Sequence, residues 1–102
     1  MSRRLAIDVG SARIGVAVSE GTLALPLESI SASENPALRV AEIANQKQAE
    51  VIYVGLPLNL RGEFTASTQK AVEFAQLLAG QGLTVRMLSL IHISEPTRLL
   101  SI

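Results

Sequence analysis

A chain of 102 residues with 48% apolar content has enough material for one packed domain. Its nine basic and nine acidic side chains cancel, so bulk charge gives no argument for a nucleic-acid or membrane partner, although a local basic patch stays open. The lack of cysteine excludes disulfides and thiolate metal sites, and no run of about 18 apolar residues offers a membrane span.

The start, Met-Ser-Arg-Arg, is followed by Asp8, which breaks any apolar signal-peptide region. The expectation is a soluble, cytoplasmic protein. Residues 4–9 and 14–19 read as a hairpin, with Gly10-Ser11-Ala12-Arg13 as its turn. Ile14, Val16 and Val18 alternate with smaller residues at period two. Leu25 to Ile30 reads as a third strand, and Pro26 places it at an edge or at a strand start.

Asn35 and Pro36 are a helix-start signal, with Asn35 as the cap. Leu38, Val40, Ala41, Ile43 and Ala44 extend that amphipathic helix to about Gln48. Val51 to Gly55 is a continuous apolar run, the pattern of a strand buried on both faces. Leu56 to Thr68 reads as a loop. Ala71, Phe74, Ala75 and Leu78 then fall at helical spacing, with Gly80 and Gly82 as stops. Thr84 to Met87 begins another strand. The predicted order is β-β-β-α-β-α-β, an α/β mixed sheet whose strand–helix–strand crossovers imply parallel pairing.

Asp8 stands among apolar strand residues, where a carboxylate is costly unless backbone donors, a base or a metal ion compensates it. It is therefore the first candidate site residue; the bland alternative is an Asp that accepts donors from its own turn. Gly10 points either to an unusual backbone angle or close phosphate approach, or to an ordinary turn. Gly55-Leu56-Pro57 ends a strand at the carboxyl edge, where open α/β sheets bind ligands. Asn59, Arg61 and Lys70 follow and are candidate nucleic-acid backbone contacts, with solvated loop charges as the alternative. Arg13, in the hairpin turn, either positions a phosphate or pairs with a carboxylate. Glu20, Glu28 and Glu63 read as solvated charges with no reason to converge on Asp8.

Ile7-Asp8-Val9-Gly10, followed by Arg13-Ile14-Gly15-Val16-Ala17-Val18, resembles the opening of the YqgF/RuvX family. Val54-Gly55-Leu56-Pro57-Leu58-Asn59, with Gly62 and Phe74 beyond it, resembles that family's second signature. The resemblance covers residues 4 to about 87. It implies a ribonuclease H-like fold and a metal-dependent nuclease, described as Holliday-junction-resolvase-like and as acting on pre-16S rRNA during ribosome maturation. Asp8 would then be a catalytic metal ligand for a divalent ion, Mg2+ or Mn2+. The implied partner is structured RNA or branched DNA, with no membrane.

The chain departs from the family after Met87. Where the family carries an Asp-Glu-Arg motif and later an acidic helix, Leu88-Ser89-Leu90 stands here. From Leu88 onward the sequence resembles a translated sequencing-library adapter. The expectation is a partial nuclease domain over 1–87, incomplete at its C-terminus and inactive by itself, and a non-native tail over 88–102. His92 falls in that tail and is assigned no role. Two other functions compete: an ATP-binding hairpin of the actin and Hsp70 type, which also opens Asp-x-Gly, and a non-catalytic nucleic-acid-binding module.

Overall fold

The computed structural model describes residues 3–20 and 23–91. Five strands and two helices follow one another as β1 (Arg3–Val9), β2 (Arg13–Glu20), β3 (Leu23–Ser31), α1 (Pro36–Lys47), β4 (Ala49–Leu58), α2 (Ala66–Gly80) and β5 (Val85–Ile91). This is the order that the alternating and helical patterns predict. The strands form one sheet in the order β3-β2-β1-β4-β5. β1, β2 and β3 are an antiparallel meander, whereas β4 pairs parallel with β1 and β5 parallel with β4.

Period two puts one set of side chains under the helices. Leu5, Ile7, Ile14, Val16, Ile30, Ile52 and Val54 are buried there, together with Val40, Ile43 and Ala44 of α1 and Ala71, Phe74, Ala75 and Leu78 of α2. The alternate set is small or polar: Ala6 and Asp8 on β1, Gly15 and Ala17 on β2, Tyr53 and Gly55 on β4. None of these six is buried. Both helices therefore lie on one face of the sheet, and among the described residues no helix packs on the opposite, bare face.

Several expectations need correction. β4 is longer than the apolar run suggests, and its burial alternates, with Ile52 and Val54 buried and Val51, Tyr53 and Gly55 half-buried. A continuous apolar run here reflects one covered face plus small or half-covered residues on the other. The loop predicted over 56–68 contracts to 59–65, because β4 reaches Leu58 and α2 starts at Ala66. Asn35 does precede α1, but it adopts a left-handed conformation (φ 51°) and its side chain makes no capping hydrogen bond.

Pro26 lies on β3, an edge strand, as its missing N–H requires. The β2–β3 register slips between Val16 and Ala17, opposite Glu28 and Pro26, so Leu27 is the extra residue of a bulge. β5 continues through Leu88, Ser89, Leu90 and Ile91 in register with Gly55 to Leu58. Residues 92–102, including His92, lie outside the described residues.

Candidate functional site

Asp8 is the last-but-one residue of β1 and sits opposite Gly15. Its side chain points to the bare face and is exposed. The desolvation cost inferred from its apolar neighbours in sequence does not arise, because those neighbours point the other way. Gly15 carries no side chain to cover it, and even an added Cβ there would stand 3.9 Å from the Cβ of Asp8. A cavity of about 530 Å³ opens beside the carboxylate, floored by Ala6, Gly15, Ala17 and Gly55 and walled by Tyr53 and Leu88. A rigid central strand thus presents one solvated carboxylate at the rim of an apolar hollow.

Glu28 borders the same hollow, but both its oxygens are taken. Arg39 of α1 donates to them from Nε at 2.9 Å and Nη2 at 2.8 Å. These hydrogen bonds hold the Glu28 carboxyl below its ordinary value of 4.5, against an opposing push from desolvation. The same bonds, with a weaker contact to Glu42, raise the Arg39 guanidinium. Glu63 is likewise engaged, accepting from Asn59 Nδ2 at 3.0 Å. The Glu20 side chain lies outside the described residues. Among the described residues no group of three or more His, Asp or Glu side chains comes together to hold a metal ion. Asp8 supplies one carboxylate; a two-ion site needs several, to hold two ions about 3.5–4 Å apart.

The other predicted site residues separate into distinct places. Arg13 neither meets a carboxylate nor stands free. Its Nε donates to Ser29 Oγ at 2.7 Å and its Nη2 to the Ser29 carbonyl at 3.1 Å, so it clamps the β1–β2 turn to β3. The Gly10 N–H donates to the Arg13 carbonyl at 2.9 Å, and a Cβ on Gly10 would approach that oxygen to 2.7 Å. Glycine is needed here for close approach inside the turn; the only positive-φ glycines among the described residues are Gly62 and Gly82. Gly10 and Lys70 share a second cavity of about 360 Å³, between the β1–β2 turn and α2.

Asn59 is consumed by its own loop. Its Oδ1 accepts from the Arg61 and Glu63 N–H groups, both at 2.9 Å, and its carbonyl accepts from the Gly62 N–H at 2.9 Å. This Asx-type turn needs the left-handed Gly62 (φ 76°). It holds Leu60, Arg61 and Phe64 out to solvent. Leaving Phe64 uncovered forgoes most of the roughly 1.5–3 kcal/mol that its burial would contribute. Sequence reading missed Phe64 because a lone aromatic in a polar loop has no periodicity to mark it.

It missed Thr68 for a different reason, having placed it in a loop. Thr68 is fully buried and forms a reciprocal capping box with Thr65 at the start of α2. Its hydroxyl also donates to the Pro57 carbonyl, fastening α2 to the end of β4. The Thr-x-x-Thr spacing at 65–68 was a visible signal for this cap.

The family model described as "RuvX: Holliday junction resolvase" matches residues 2–91. A protein of Leifsonia xyli called "Putative pre-16S rRNA nuclease" is 48% identical over 89 residues, which cover 82% of this chain and 57% of that protein. A relative of the same name from Fusobacterium nucleatum is 34% identical over 98 residues, covering 93% of this chain and 69% of its own length. The chain spans about half the length of most curated relatives it matches. Among solved structures, Thermus thermophilus RuvC in complex with a Holliday junction substrate superposes with a TM-score of 0.64 at 19% identity, over 87% of this chain and 65% of RuvC. That likeness concerns the fold, which is ribonuclease H-like.

Proposed function

Given that this chain belongs to the RuvX family, we propose that it is the strand-rich part of a cytoplasmic, divalent-metal-dependent nuclease that processes the 5′ end of precursor 16S rRNA. The observation that carries the reading is the placement of Asp8. It is a solvent-open carboxylate held rigidly at the carboxyl end of a central strand, beside a hollow on the uncovered face. Ligands of open α/β sheets collect at this edge. The relatives' names supply RNA as the substrate class.

Asp8 alone does not make a two-ion site, and no chemical step is assigned to metal in this chain. In this reading the remaining acidic ligands come from the length of the relatives that the chain does not span, and residues 1–87 with Asp8 contribute the scaffold. The metal is Mg2+ or Mn2+, which prefer oxygen ligands. Arg61 and Lys70 supply phosphate contacts. Arg13, Gly10 and Asn59 act one step back, by fixing the turn and the loop through Ser29, the Arg13 carbonyl and the Asn59 hydrogen bonds. A second reading, cleavage of branched DNA, is favoured by the family description alone.

The test is a chimera in which residues 1–87 are joined to the rest of the Leifsonia xyli relative. It should cleave a precursor 16S rRNA 5′ segment in Mg2+, and Asp8→Asn should lower the rate by roughly a thousandfold, the scale of losing several kcal/mol of charge stabilisation. The 102-residue chain itself should not cleave. Cleavage of a four-way DNA junction in place of the RNA would select the second reading. Unchanged cleavage in Asp8→Asn would remove Asp8 from the chemistry.

A further inference from the structure

The chain has three aromatic residues, two Phe and one Tyr. Phe74 is in the core and Tyr53 walls the hollow beside Asp8. Phe64 does neither: it is 67% exposed, in a loop where Leu60 is 74% exposed. Apolar side chains on a slack loop would need no explanation. This loop is rigidly built, with the Asn59 side chain and backbone making five hydrogen bonds to Arg61, Gly62 and Glu63. Rigidity keeps Phe64 from folding back to shield itself, and it removes the ordering cost of binding through the ring.

Two further facts indicate the class of ligand. Among the described residues the Arg61 guanidinium has no hydrogen bond or ion pair, while the nearby Glu63 carboxylate is already bonded to Asn59. Among the described residues the loop therefore carries an unpaired guanidinium and an exposed ring three positions apart. Its position is the second fact. Ile7 pairs with Val54, so Asp8 is level with Gly55, and the loop begins four residues further along β4. At the strand rise this places it roughly 13 Å beyond Asp8, at the same edge of the sheet. A ring for a base and a guanidinium for a phosphate are the two elements by which single-stranded nucleic acids are held without sequence preference.

We propose that the 59–65 loop is a single-strand platform: Phe64 stacks on an unpaired base of the substrate and Arg61 contacts a phosphate next to it. This deepens the nuclease reading and rests on its nucleic-acid half, but it needs neither metal nor cleavage. The platform would select strands with unpaired bases near the site over continuous duplex.

The absence of tryptophan makes the test direct. In the full 102-residue chain, Phe64→Trp introduces a single tryptophan at the ring position, excited selectively at wavelengths where Tyr53 does not absorb. Titration with a ten-nucleotide oligouridylate in EDTA should quench it, and an abasic strand of equal length should not. By filter binding, Phe64→Leu should weaken the oligouridylate about tenfold, the scale of one lost base stack. Phe64→Trp should bind as the parent does, and Arg61→Ala should flatten the salt dependence.

Equal affinity of Phe64→Leu and the parent would overturn the proposal, because it would mean that the residue serves as apolar bulk, as a protein partner would use it. Absence of quenching, or equal binding of the abasic strand, would overturn it as well. A chimera that fails to cleave while quenching persists would count against the nuclease reading alone.

Discussion

The two faces of this sheet are made by the same strands and do opposite work. On β1, Leu5 and Ile7 point under the helices and are buried, while Ala6 and Asp8, their immediate neighbours, face the bare side. On β2, Ile14 and Val16 are covered, and Gly15 and Ala17 are not. On these two strands large branched residues fill the helix side, and Ala6, Asp8, Gly15 and Ala17 line the other. Packing is thus concentrated on odd-numbered positions of β1, and the candidate carboxylate stands on an even-numbered one. A carboxylate can be tolerated in the middle of an apolar sequence because it is separated by a pleat, not by distance along the chain.

The sharpest way to break this comparison is to substitute one residue on each face. Leu5→Ala should cost about 2–5 kcal/mol in urea unfolding, the range for a fully buried leucine. Ala6→Ser, one residue away, should stay within roughly 0.5 kcal/mol, as expected where nothing packs closely. Similar losses at both positions would show that the second face is covered in solution.

The edge where the faces meet is the next place to press. Gly10→Ala drives a Cβ towards the Arg13 carbonyl, so the turn that follows Asp8 must open. A loss of about 1–3 kcal/mol is expected, the usual cost of overpacking. The Asp8 amide and those of the turn should show the largest NMR shifts. An unperturbed turn would mean that the close approach is not needed.

The smallest effect concerns Glu28, which joins the helix face to β3. Folding lowers its pKa below 4.5, so the Arg39 pair adds stability above that pH, and the gain is lost as pH falls through the folded value. Glu28→Gln should be less stable than the parent at pH 7, and the gap should close at acid pH. The pair is partly exposed, so added salt should also narrow the gap. A gap independent of pH would assign the effect to packing of the Glu28 stem.

Much of this was legible beforehand, for identifiable reasons. The β-β-β-α-β-α-β order follows from local patterns: alternation in β2, helical spacing in α2, and Pro26 at an edge. Asp8 was recognisable because it interrupts an apolar strand. Its environment was not. Neither was the diversion of Arg13 to Ser29 or the consumption of Asn59 by residues 61 to 63, since these bonds form only once the chain has folded. The bulge at Leu27 also lay beyond local reading, because a register slip is a property of two strands together.

The sequence by itself determined which residues alternate, where the chain turns and which family signatures it carries. Those are properties of near neighbours, governed by backbone sterics and a period of two or 3.6 residues. Only the tertiary structure decided which of the two alternating sets would be covered, and hence that Asp8 meets water while Ile7 does not. That choice is made by α1 and α2 docking on one side of the sheet, where burying the large branched side chains yields more than burying alanine, glycine and a carboxylate.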